Sequence, residues 1–505
     1  MFKNKGDKKK LKIFVYVLIT IFLLSFLIWQ INNKNTLNEI TSVEVEGMSI
    51  ENFYIENEID ILTTTGGIFR INSKNGTIDI WQRIGKKRLL AKIVLDKDWF
   101  ESLTELTRDE FYYTWKGQAP NNSEMIISGD SVISFLNIKK TEIKLEFSPA
   151  YQKINNANNG LLALDNDGGL VIAPNVFPHD EILPKISKDN IWKLSTHESL
   201  PLLFVGICPS RQFDWNSSFS HNIHYSSHIQ RYPTNEEIIT YSEYAKVLEL
   251  HSWIWQNRHE KDSTNEKGEK IPLWRDYSSR PQNFKWIPED EKELKRVIKT
   301  AQAHDMKVIP YVNFAWKDFD TTILESSMSI DEIFEIHMTE MQRLKNTYNF
   351  DGLYLDGLYY TYPQKNELSY RIAKALRKLF GEEGWLTYHN THSGGYYLPF
   401  IDAYMDLIIT SEHESFDRWK STSYNISNAI ASVWPEIPID VKDGRKFLKK
   451  LIDDSLIYNN RVILMAGEQG QWREWRLYFT KDEIEFMQKY YFEQLKKLNK
   501  FEYGK

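Results

Sequence analysis

KVIPYVNF (307–314) and DGLYLDG (351–357) decide the fold. Each is an apolar run of strand length that ends on a polar residue, and between them lies the amphipathic window Ile330 to Tyr348. Strand, helix, strand in that order reads as two parallel strands joined by a crossover helix. Outward from this pair the alternation repeats. Apolar runs start at 202 (LLFVGI), 246 (KVLEL), 307 (KVIPYV), 351 (DGLYLD), 385 (WLTYH), 405 (MDLIIT), 431 (ASVW) and 461 (RVILMA). Helical windows fall between them. Pro288 to His304 carries Leu294, Val297, Ile298 and Ala301 on one face, and Glu367 to Phe380 and Arg445 to Tyr458 follow the same period. Lys481 to Lys497 supplies a closing helix. The pattern predicts an α/β chain whose residues 200–500 form a (β/α)8 TIM barrel, with a doubly wound open sheet as the structural competitor.

Residues 40–195 read differently. Short runs rich in Val, Ile, Thr and aromatics are broken by turn chemistry such as Thr65-Gly66-Gly67, Asn75-Gly76 and Asp167-Gly168-Gly169. This predicts an antiparallel β-sandwich, with Trp99 to Glu110 the one window of doubtful period. Ahead of it, six lysines between Lys3 and Lys12 precede the uncharged stretch Ile13 to Ile31. At ~1.5 Å per residue that stretch matches the ~30 Å hydrocarbon core of a bilayer. Residues 13–31 are therefore expected to be a transmembrane helix, with 1–12 as a cytoplasmic basic tail and the remainder outside the cytoplasm.

Composition narrows the function. A net charge of −6, with 63 Lys+Arg against 69 Asp+Glu, gives no broad positive field, so nucleic acid is excluded as a partner. Cys208, the single cysteine, cannot form an intramolecular disulfide. No phosphate-cradling or serine-nucleophile motif occurs, and the spacing of His389, His392 and His251 does not argue for a metal, so neither metal nor cofactor is expected.

In barrels of this kind function gathers where the strands end. The polar residues there are His251, Asn313, Asp356, His389 and Asn390, Glu412, and Glu468. Alternation along the fourth run puts Tyr354 and Asp356 on one face and Leu353 and Leu355 on the other; in the sixth, Ile408, Thr410 and Glu412 share a face. Two carboxylates over one pocket suit glycoside hydrolysis, one as nucleophile or base and the other as acid. Asp356 and Glu412 are the catalytic candidates, with Asp440, Asp443 and Glu468 in reserve. Aromatic faces stack on sugar rings while polar edges bind hydroxyls. On that ground His251, Trp253, Tyr311, Asn313, Trp316, Tyr354, His389, Asn390, Glu468 and Trp472 are the substrate-binding candidates.

The stretch from about Leu202 to Ala466, with VIPYVNF, DGLYLDG, HN after the fifth run and DLIITSEHES in that order, resembles the barrel glycoside hydrolases of the α-galactosidase and α-glucosidase type and the related family 123-like proteins. The resemblance implies that the aspartate ending the fourth strand, Asp356, is the nucleophile and the carboxylate of the sixth, Glu412, the acid/base. The chain departs from the α-galactosidase pattern at Tyr354, where a basic residue is usual, and from the family 123 acid pair at Gly357. The expectation is a membrane-anchored, extracytoplasmic glycoside hydrolase acting on a cell-surface or exported polysaccharide by a retaining mechanism. Its rival is a catalytically inactive barrel that binds glycan for assembly or export.

Overall fold

The computed structural model describes most residues from 48 to 498, leaving out 1–47, 499–505 and several internal stretches, the longer being 175–184, 212–221, 254–262, 272–284, 315–328, 357–364, 390–400 and 413–429. The transmembrane helix expected at 13–31 lies outside the described residues; among those described, no helix is long and apolar enough to cross a membrane.

Two eight-stranded antiparallel sheets come first. One runs from Ile50–Glu56 through Arg88–Val94 to Glu142–Phe147 and Ile191–Ser195; the other joins Leu103–Arg108, Tyr112–Gly117, Glu124–Ser128 and Val132–Ile138 to Leu200–Cys208, Gly168–Pro174 and Gly160–Asp165. Their inner faces share one core, in which Leu62, Phe69, Ile80 and Leu90 of the first sheet meet Met125, Phe135, Leu203 and Val205 of the second. The doubtful window resolves into a short helix, Lys97–Glu101, followed by a strand.

A ring of parallel strands comes next: β1 (Asn222–Tyr225), β2 (Val247–Leu250), β3 (Lys307–Asn313), β4 (Gly352–Asp356), β5 (Trp385–His389), β6 (Leu407–Glu412), β7 (Ile430–Trp434) and β8, which is the run Arg461–Val462 and Leu464–Ala466 broken at Ile463. The first half of β8 pairs with β7 and the second half with β1, and Ile463 N–H donates to Val433 O at 3.1 Å across the break. The ring therefore closes as a barrel. Among the described residues helices follow six of its strands: Asn235–Ser242, Glu291–Gln302, Ile330–Tyr348, Lys365–Phe380, Arg445–Ile457 and, after β8, Lys481–Leu498, whose middle turn Met487–Tyr491 is π-helical. Three of them begin with a capping box, at Thr234/Glu237, Ser329/Glu332 and Thr480/Glu483. The face of Glu291–Gln302 that the periodicity selected, Leu294, Val297, Ile298 and Ala301, is the buried one.

One strand assignment is corrected. LLFVGI, expected to open the barrel, lies in Leu200–Cys208 and pairs antiparallel with Val132–Ile138 and Gly168–Pro174, so it belongs to the sandwich; the barrel opens with Asn222–Tyr225 instead. The cause is burial on both faces. Leu203, Val205 and Ile207 fill the sandwich core, while Phe204 on the other face packs edge-on against Tyr370 of the barrel helix Lys365–Phe380, with ring centroids 5.4 Å apart. A strand covered on both sides loses its alternation and reads like a parallel one.

The same contact carries a buried polar latch. Asp130, on a sandwich turn, accepts hydrogen bonds from Tyr370, Tyr404 and Ser128, and the Lys374 ammonium sits 3.3 Å from its Oδ2. Burial would raise this carboxyl, but the Lys374 charge and the three hydroxyl donors together outweigh it, and the pKa is lowered from 3.8. A folded pKa below the unfolded one means that the contribution is present above 3.8 and is lost as the pH falls through the folded value. Asp130→Asn should cost ~3–5 kcal/mol in denaturant unfolding at neutral pH, because Lys374 is left buried without its counter-charge, and the deficit should shrink below pH 3.8.

Candidate functional site

Strand alternation sorts the barrel residues. On β4, Leu353 and Leu355 are buried away from the group formed by Tyr354 and Asp356, as parity required. Tyr354 meets the Tyr311 ring edge-on at 4.9 Å, and its hydroxyl lies 2.9 Å from His389 Nδ1 on β5. Asp356, half-buried at the end of β4, is oriented by β3. Tyr311 donates its hydroxyl to Asp356 Oδ2 at 2.5 Å, and Asn313 Nδ2 donates to the same oxygen at 3.1 Å and to the Tyr311 hydroxyl at 3.1 Å. Parallel register explains the convergence, since Tyr311 pairs with Tyr354 and Asn313 with Asp356. Both donors take Oδ2. Oδ1 has no protein donor among the described residues, so the described contacts fix the carboxylate through one oxygen.

Beneath Asp356 lies a floor of rings. His251, at the end of β2, packs on Tyr311 with centroids 4.0 Å apart, and Trp434, at the end of β7, stacks on His389 at 5.4 Å and lies 4.3 Å from His224. Deeper still, Glu249 of β2 accepts hydrogen bonds at Oε1 from Asn222 Nδ2 (2.6 Å) and Thr387 Oγ1 (2.9 Å). Burial raises the Glu249 carboxyl to about 7, although the Asn222 and Thr387 donors and the nearby His389 pull it down. Burial holds His224 and His251 well below 6.5, and neighbouring imidazoles push the same way.

Of the predicted residues, the structure brings together His251, Tyr311, Asn313, Tyr354, Asp356 and His389. Trp253 does not join them: it is fully buried, its indole N–H donates to Tyr311 O at 2.8 Å, and its ring packs edge-on against Phe350, so it braces β3 from outside the ring of interior side chains. Glu412 closes β6, paired in register with Trp434, and Trp472 lies in a two-residue strand paired with Trp475–Arg476; their side chains lie outside the described set. Trp316, Asn390 and Glu468 also fall outside the described residues. Asn222, His224, Glu249 and Thr387 were missed. The signal for three of them was present, since Asn222 and His224 alternate with Ile223 and Tyr225 and Glu249 is the sole charge in a fully buried four-residue strand. Among the described residues no group of three or more His, Cys, Asp or Glu is placed to hold a metal ion.

No family model and no curated protein matches the chain. Among solved structures it is similar to an α-amylase from Geobacillus thermoleovorans (12% identity over 55% of this chain and 78% of that one, TM-score 0.35) and to a GH31 dextranase from Flavobacterium johnsoniae (9%, 87% and 68%, TM-score 0.37). A chitinase from Bacteroides thetaiotaomicron is similar at 11% identity over 49% and 89%, with a TM-score of 0.30. These neighbours are glycoside hydrolases, but not of the narrower α-galactosidase or family 123 type that the motifs resemble. Likeness at this level carries no argument about activity, which has to come from the side chains themselves.

The site depends on how closely β4 and β5 approach. A Cβ on Gly352 would lie 1.7 Å from the Trp385 carbonyl oxygen, a backbone atom with no room to yield. Gly352→Ala should lower stability by about 3 kcal/mol or more in denaturant unfolding, or abolish soluble expression.

Proposed function

We propose that this protein is a membrane-anchored glycoside hydrolase whose barrel acts outside the cytoplasm on a cell-surface or exported polysaccharide. The observation that carries the reading is Asp356: a half-buried carboxylate at the C-terminal end of β4, with Oδ2 held by two donors from β3 and Oδ1 without a donor among the described residues, standing over a floor of Tyr, His and Trp rings. An acid held in one orientation above flat apolar faces is what attack on a ring-stacked sugar requires. The anchor rests on the lysine-flanked stretch Ile13 to Ile31, whose basic flank would stay in the cytoplasm and leave the barrel on the other side of the bilayer.

In the retaining mechanism proposed, Asp356 Oδ1 attacks the anomeric carbon while Glu412 donates a proton to the departing glycosidic oxygen, so that one C–O bond forms as the other breaks. Water then attacks the glycosyl ester, Glu412 takes its proton, and Asp356 leaves as carboxylate. Support for Glu412 is its place as the last residue of β6, at the same end of the barrel as Asp356. The Tyr311 and Asn313 donors compensate the charge that returns to Asp356 when the ester breaks.

Hydrolysis of purified surface polysaccharide should fall by on the order of 10³-fold or more in Asp356→Asn and Glu412→Gln, while glycan binding persists. NMR should show the first product with the anomeric configuration of the substrate. If both variants cleave like the parent, the assignment of the pair is wrong; if the parent itself cleaves no member of a broad glycan panel yet binds glycan, the inactive binding barrel replaces the enzyme. Tyr311→Phe should lower kcat about 10- to 100-fold with little change in KM, the loss of one hydrogen bond to a charged group.

A further inference from the structure

Below Asp356 the barrel holds a second acid that the chemistry above does not use. Glu249 on β2 and His224 on β1 stand opposite each other in register, both sealed from solvent, with Oε2 of the acid 3.5 Å from Nδ1 of the imidazole. The two carboxyl oxygens are not equivalent. Oε1 receives the amide of Asn222 and the hydroxyl of Thr387, which satisfies it as a carbonyl-type acceptor. Among the described residues, Oε2 has no hydrogen-bond partner, and neither has either nitrogen of His224. An ionised carboxylate with one bare oxygen inside a closed barrel, facing a neutral ring nitrogen that is itself an acceptor, is the arrangement that burial penalises most. A proton on Oε2 removes the buried charge and gives that oxygen a hydrogen to direct at Nδ1 across the 3.5 Å gap.

We infer that Glu249 is held protonated with its Oε2 hydrogen facing Nδ1 of a neutral His224, and that this uncharged acid–imidazole pair is a positioning device. It keeps uncharged the floor on which His251 and Tyr311 pack, and Tyr311 in turn orients Asp356. The titratable groups around the pair are His251 from the end of β2, Tyr311 from β3, Tyr354 and, at the mouth, Asp356 from β4, and His389 from β5. Trp434 of β7 covers His224 on another side and carries no ionisable group. The directions agree with the geometry: burial raises the acid to about 7 and drives both neighbouring imidazoles down, so the proton stays on Glu249. Because the folded pKa lies above 4.5, the stability linked to this proton is fully present below 4.5 and is lost as the pH rises to about 7.

The pair stands whether or not the barrel cleaves glycans; only its service to Asp356 rests on the hydrolase reading. Glu249→Gln in the full chain mimics the protonated acid, because its amide oxygen still accepts from Asn222 and Thr387 and its N–H faces Nδ1. Between about pH 5 and about pH 8 the parent's Tm should fall relative to that of E249Q. The infrared spectrum of the parent near the acid end of that range should show a protonated carboxyl band that E249Q lacks. In the hydrolysis assay, the parent's kcat should decline on the alkaline side relative to E249Q while KM changes less. Parallel Tm profiles with no difference band would overturn the pair. If E249Q does not fold, the infrared titration of parent protein carrying carbon-labelled glutamate decides alone, since a sealed carboxyl titrating near 7 supports the pair and none doing so ends it. A parent that hydrolyses nothing defeats the proposed function and leaves the Tm and infrared results to judge the pair.

Discussion

Closure of the parallel ring sets the chemistry of the interior. Once β8 bridges β7 and β1, every second side chain of each strand points into a space that neighbouring strands seal. A polar group placed there must be answered by another inward side chain on a nearby strand, since an unanswered one costs more than its partner contributes. Asn222, Thr387 and Glu249 answer one another across β1, β5 and β2, and Tyr354 answers His389 across β4 and β5. Toward the mouth the same rule produces the oriented carboxylate, because Tyr311 and Asn313 have Asp356 as the acceptor their register brings within reach.

Much of this is legible in the sequence, for a definite reason. Where a strand has one face toward helices and the other toward the interior, the two faces carry different chemistry, and alternation reports which is which. Leu353 and Leu355 against Tyr354 and Asp356 is such a case, and alternation alone leads to the correct neighbours. Asn222–Tyr225 carries the same alternation but is only four residues long, too short to stand out beside the longer apolar runs. Glu249 escapes notice because a charge within a short buried strand looks like an interruption when the strand is read alone; its partners Asn222 and Thr387 lie far away in the chain and meet it only after closure. Trp253 shows the opposite failure, since an aromatic next to a strand end reads as a mouth residue when it packs outside the interior.

The misplaced LLFVGI run has a structural lesson as well. Leu200–Cys208 is apolar on both faces because it is covered on both, by the sandwich core and by the barrel helix Lys365–Phe380. The sandwich is thus seated on the barrel through packing of Phe204 and through the Asp130 latch, where a buried carboxylate meets a lysine and three hydroxyls. An alignment that separated Asp130 from Lys374 would leave buried charge unpaired, which is strongly unfavourable. A barrel helix held from outside in this way also holds the strand it succeeds, β4, whose last residue is Asp356.

DGLYLD contains two aspartates, and the contrast between them is the best argument for where the chemistry lies. Asp351 immediately precedes β4 and spends Oδ2 on the Val308 N–H of β3 (2.8 Å) and on the Gln302 amide (2.9 Å), tying strand to strand and strand to helix. Asp406, just before β6, does the same for the Leu386 N–H of β5 and for Arg377. Both are register pins at the N-terminal end of the barrel, where a carboxylate satisfies backbone donors that the staggered ladder leaves over. Asp356 sits at the opposite end and, among the described residues, its donors are the side chains of Tyr311 and Asn313. Two aspartates five positions apart thus stand at the two ends of β4, and the source of their donors separates scaffold from candidate chemistry: a backbone N–H of the neighbouring strand and a helix side chain for Asp351, inward side chains of β3 for Asp356.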